Sequence, residues 1–81
     1  MGIAEVRDAF AGAGDGRLIC RQAILRYVQD GNNSQVIDFI GDWSDGTPFE
    51  ISSGPFDPKM RPEDQARLVA AKLLKTRESA T

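Results

Sequence analysis

Histidine is absent from this 81-residue chain, and with it go Ser-His and Cys-His nucleophilic pairs, imidazole-ligated metals and the usual general base near neutral pH. A single cysteine, Cys20, excludes an intramolecular disulfide. Small secreted domains are normally stapled by several, so a reducing, cytoplasmic setting is expected. No apolar run approaches the roughly 20 residues that cross a bilayer, and MGIAEVRDAF lacks the basic and long apolar regions of a secretory leader. Gly2 follows Met1, but residue 6 is Val where a myristoylation signal wants Ser or Thr. No membrane partner is expected. The glycines of GAGDG, residues 12–16, do not space as G-x-G-x-x-G and no Walker lysine follows, so no cofactor is expected and an enzyme is the least favoured class.

What is present is ordinary for a globular protein: 41% hydrophobic and 27% charged residues. The length allows one domain, residues 1–81, and such a domain buries only about 60% of the surface its unfolded chain exposes. The polar stretch 78–81 is expected to fray. Net charge is only -2, yet it is unevenly placed. Ten basic residues lie outside positions 27–58, a stretch that holds Asp30, Asp38, Asp42, Asp45, Glu50 and Asp57 without a counter-charge.

Ile3, Val6 and Phe10, with Ala9 and Ala13 near the same line, predict a short amphipathic helix that GAGDG ends. Residues 17–29 read either way. A helix would strand Leu18 and Leu25 among polar residues, whereas a hairpin about DGNNS, residues 30–34, sets Val28 against Val36, Tyr27 against Ile37, Arg26 against Asp38, Leu25 against Phe39 and Ile24 against Ile40. The hairpin is the better fit. A second turn, SDG at 44–46, with Gly46 left-handed, sets Trp43 opposite Thr47, Gly41 opposite Phe49 and Phe39 opposite Ile51. Pro62, Glu63 and Asp64 then open a helix whose apolar stripe is Ala66, Val69, Ala70, Leu73 and Leu74, with Phe56 and Met60 before it capping the core. The expected fold is α+β, a two-layer αβββα domain: a three-stranded antiparallel meander with both helices on one face. Ala23, Leu25, Tyr27, Ile37, Phe39, Gly41, Trp43, Phe49 and Ile51 would face the helices.

Candidate chemistry is thin. In DGNNSQVID, Asp30, Asn32, Ser34 and Asp38 take EF-hand positions, but Gln35 stands where glycine must bend and Gly41 where a bidentate glutamate must close, so no metal is expected. Asp38 and Asp42 share a strand face without the cleft that acid–base work needs. Cys20 reads as a small buried apolar group. The opposite sheet face carries Ile24, Arg26, Val28, Val36, Asp38, Ile40, Asp42 and Glu50: aliphatic groups with an acidic rim, as on protein-binding surfaces. It points to a non-enzymatic protein-binding module, one form being a phage-type or toxin-neutralising inhibitor whose acids compete for a basic, nucleic-acid-binding protein. The same face could instead close a homodimer. The alternative is a nucleic-acid-binding module using Arg61, Arg67, Lys72, Lys75 and Arg77. The αβββα order and alanine-rich last helix resemble the double-stranded RNA-binding domain in outline, which would imply binding to duplex RNA. That family opens its last helix with lysines, and here the helix opens PEDQ.

Overall fold

The computed structural model describes residues 2–29, 34–57 and 59–79. Its elements follow in the order α1 (Ile3–Gly12), β1 (Leu18–Val28), β2 (Ser34–Trp43), β3 (Pro48–Ser52) and α2 (Pro62–Ser79), with the strands forming an antiparallel sheet of order β1-β2-β3. The α+β, αβββα architecture is therefore as the sequence leads one to expect.

One hydrophobic cluster joins Val6 and Phe10 of α1, Leu18 of β1, Ile37, Phe39 and Trp43 of β2, Phe49 of β3, and Ala66, Val69 and Ala70 of α2. At its centre Phe10 and Phe39 stack with centroids 4.2 Å apart and planes 4° from parallel, both fully buried. Burying each ring stabilises the fold by roughly 2–3 kcal/mol. The four-residue step from Val6 to Phe10 puts both on the sheet side of α1, while Ile3, a further three back, is 43% exposed and lies outside this core. On α2, small side chains at 66 and 70 let the helix approach closely. Gln65 is also buried; its side-chain carbonyl accepts from the Asp57 amide and its NH₂ donates to the Pro55 carbonyl, each at 3.1 Å, tying the crossover to the helix.

The second turn forms as expected. Gly41 pairs with Phe49 and Phe39 with Ile51, the Trp43 amide donates to the Thr47 carbonyl at 2.7 Å, and Gly46 takes φ 92°, where a side chain would be strained. Pro48 starts edge strand β3, where a residue without an N–H is tolerated.

The first hairpin differs in register. Val28 pairs with Ser34, Arg26 with Val36, Leu25 with Ile37 and Ile24 with Asp38, two residues from the expected alignment. A shift of two keeps every side chain on its face, so the two faces stand as read. Residues 30–33 of the DGNNS turn lie outside the described residues, as do Asp30 and Asn32 of the calcium-like spacing. Further along, a bulge between Cys20 and Gln22 inserts Arg21 and reverses the alternation, so Leu18 meets Trp43 and Cys20 meets Gly41 on the core side. Leu18 thereby joins the core, a role the strand reading had not given it.

Leu25 and Tyr27 share the core face but are 46% and 65% exposed. An 11-residue strand spans about 36 Å, whereas the 10 residues of α1 cover about 15 Å. The hairpin thus outreaches the helix meant to cover it. Glu78, expected to fray, lies inside α2; residues 80–81 are outside the described residues.

Gly41 fixes where β1 can run. A Cβ there would stand 2.0 Å from the Ile19 carbonyl oxygen and 3.0 Å from the Arg21 amide nitrogen, backbone atoms that cannot step aside. Gly41→Ala is expected to lose about 2–3 kcal/mol in urea unfolding through overpacking. Gly12→Ala, at a helical site with nothing within 4 Å, should gain up to about 1 kcal/mol.

Candidate functional site

The eight residues singled out on the outer sheet face do share that face, since the register alternates Ile24, Arg26 and Val28 with Val36, Asp38, Ile40 and Asp42, and sets Glu50 across from Ile40. Both helices feed the core cluster on the other side. Ile24 is exposed, Val28 and Ile40 are half-buried, and Ile19, missed by sequence reasoning, adds a further exposed aliphatic group opposite Asp42.

Val36 departs from the expected exposed patch, being 3% exposed. It sits on the central strand across from Arg26, and residues 53–56 continue along its other side through the Ser53 amide to the Ile37 carbonyl and the Phe56 amide to the Gln35 carbonyl. Flanked on both sides, it is closed off from solvent and adds nothing to the exposed patch.

The face is not acid-dominated. The Arg26 guanidinium donates to Asp38 at 2.6 Å, and that hydrogen bond pushes Arg26 above its ordinary value. Arg21, carried outward by the bulge, holds Asp42 at 3.1 Å. The expected Arg26–Asp38 contact thus forms, but along a diagonal rather than directly across. An acid run counted along the sequence overstates the charge, because the arginines arrive from the neighbouring strand. Glu50 stands alone among the three rim acids in having no ion pair among the described residues.

The basic residues of the alternative reading are largely neutralised. Arg61 pairs with Glu63 at 3.0 Å, Arg67 with Asp64 at 2.6 Å, and Arg77 with Asp45; Lys72 and Lys75 have no ion pair among the described residues. At about 100° per residue, Arg67, Lys72, Lys75 and Arg77 fan around more than half of α2 and make no single phosphate-facing line. Arg77 continues the apolar stripe through Ala70 and Leu73, and it lies 4.4 Å from the Trp43 ring centroid, with Arg17 at 5.9 Å. Arg17 in turn pairs with Glu78 at 3.1 Å. The tryptophan is therefore a packing anchor between guanidinium groups, clamping the end of α2 onto the β2–β3 turn.

Among the described residues no group of three or more Cys, Asp or Glu side chains gathers as a metal set. Cys20 is half-buried, and burial pushes its thiol up, away from the thiolate a nucleophile needs. A groove of about 290 Å³ beside α2 is lined by Met60, Leu68 and Val69 together with the polar Ser53, Asp57, Gln65 and Lys72, at the lower end of the about 300–1,000 Å³ of small-molecule sites. No described helix is long and apolar enough to cross a membrane. No family model, curated protein or solved structure matches the chain, so the likeness to the double-stranded RNA-binding domain rests on element order and the alanine-rich last helix.

Asp45 gives the clamp a pH dependence. Its carboxylate accepts from the Thr47 amide at 2.9 Å and from Arg77, and these bonds, Thr47's first, lower it to about 2. In the unfolded chain an aspartate titrates near 3.9, so between these values the unfolded state binds more protons and stability rises with pH. The contribution is complete above about pH 4 and is lost as pH falls through about 2. Urea unfolding across this window should show a shallower acid dependence for Asp45→Asn than for the wild type.

Proposed function

We propose that this chain is a non-enzymatic protein-binding module whose contact surface is the outer face of the sheet. One observation carries the reading: exposed Ile19 and Ile24 and half-buried Val28 and Ile40 stand on a face that neither helix covers, with Arg26–Asp38 and Arg21–Asp42 already paired among them. Pre-paired charges cost less to cover than unpaired ones, because each ion keeps its counter-ion when water leaves, although their own desolvation still opposes binding. An apolar centre with a paired polar surround is how protein-binding patches are built. The partner of this reading presents an apolar patch with a basic group reaching Glu50.

A phage-type or toxin-neutralising inhibitor is one form of such a module. Its charge-driven version, aimed at a basic, nucleic-acid-binding protein, draws on Glu50 alone, since Asp38 and Asp42 each hold an arginine. A cytoplasmic setting belongs to the same reading and is supported by the lone unbridged Cys20. Nucleic-acid binding keeps only Lys72 and Lys75 as cations without an ion pair among those it invoked.

Affinity capture from native lysate, read by mass spectrometry with Ile24→Glu and Glu50→Lys beside the wild type, tests the proposal. A protein retained by the wild type should fall about tenfold or more with Ile24→Glu and several-fold with Glu50→Lys. A partner held equally by all three would sink the face as contact surface. In gel shifts at two salt concentrations, duplex and single-stranded RNA should stay unbound; binding that weakens steeply with salt would transfer the reading to α2.

A further inference from the structure

Among the described residues, four of the six exposed large hydrophobic side chains, Ile19, Ile24, Leu25 and Tyr27, lie on β1. β1 is also an edge strand of the sheet. Beyond the bulge, residues 22–28 pair regularly with β2, and among the described residues no strand pairs with the other edge of β1, with residues 24–27 exposed on both faces. Edge strands that must stay single are blunted by brevity, proline, charge or a bulge, and the bulge of β1 lies before residue 22, outside the regular stretch. This one is long, has no proline, and its Arg26 is turned inward onto Asp38.

We propose that two copies of this chain pair antiparallel through the free edge of β1, centred on Leu25, to form one continuous sheet. Only this centre overlaps all of residues 22–28. On the helix side it sets Leu25 against Leu25 of the second copy and the small Ala23 against the exposed ring of Tyr27. On the outer side Ile24 meets Arg26, whose charge stays with Asp38 of its own chain. Two Arg26–Asp38 pairs then gather about the two-fold axis as a neutral cluster. A centre between two neighbouring residues is excluded, because it would set a helix-side residue such as Ala23 opposite an outer-face residue such as Ile24, whereas directly opposed residues share a face. The closed two-fold arrangement covers the edge of β1 in both copies and leaves no further β1 edge to recruit a third. It is separable from the partner-binding reading, because Ile24 and Arg26 border both surfaces whereas Leu25 and Tyr27 lie on the helix side and serve the edge pairing alone.

Sedimentation equilibrium of the full chain from micromolar to millimolar concentration tests this. The average mass should climb from 8.8 kDa toward twice that value. Leu25→Lys and Tyr27→Lys, each checked for folding by circular dichroism, should weaken association about tenfold or more; Tyr27, as the more exposed of the two, guards against a folding defect at Leu25. Glu50→Lys should leave it unchanged. In a Cys20→Ser background, Leu25→Cys treated with diamide as oxidant should form an interchain disulfide, since directly opposed antiparallel residues have Cα atoms about 4.5–5.5 Å apart, within disulfide reach. Leu68→Cys on α2 should not. A mass fixed at one chain throughout, or association lost with Glu50→Lys but not with Leu25→Lys, overturns the proposal.

Discussion

Gly41 has no side chain, and the backbone of β1 takes the space one would occupy. With the Ile19 carbonyl 2.0 Å from the position of a Cβ, β1 can bulge inward at Arg21, and that single extra residue reverses which side chains face the helices. Without the reversal, Leu18 would point away from Trp43 and the base of the core would lose a wall. With it, both halves of a long strand serve one cluster, and Arg21 is carried outward to Asp42. The core, the clamp on Trp43 and the charge balance of the outer face all depend on this close approach between two backbones.

The alternation of side chains made the sheet legible. Phe39, Trp43 and Phe49 share a face in any pairing that keeps parity, so a register displaced by two residues still separates core from surface correctly. The second turn was easier still, because Gly46 is a residue type that a left-handed position demands. The bulge was not legible: Cys20, Arg21 and Gln22 look like any three strand residues, and the cause lies twenty positions on at Gly41. Exposure of Leu25 and Tyr27 was equally hidden, being set by how far a ten-residue helix reaches along an eleven-residue strand.

Charge was the least legible feature of the candidate site. Residues 27–58 contain only acids, yet Asp38 and Asp42 meet Arg26 and Arg21 across the ladder, and Asp45 meets Arg77 from the far end of the chain. Sequence windows sum charges along the chain, whereas the solvent and any partner respond to charges grouped in space. The basic residues of α2 repeat the lesson, since Glu63 and Asp64, which open the helix, also hold Arg61 and Arg67. What survives this pairing is a mostly aliphatic face and a bare strand edge.

Trp43 is the only tryptophan in the chain, edge-on to Phe49 at 6.2 Å and overlaid by the guanidinium of Arg77. The indole therefore sits where the last turn of α2, the β2–β3 turn and the core meet. A single intrinsic fluorophore at that junction makes its emission a local gauge: release of the C-terminal turn would uncover one side of the ring to water while the Phe10–Phe39 stack stayed closed. Light absorbed by one residue thus distinguishes opening at the clamp from loss of the whole fold, without any label being added.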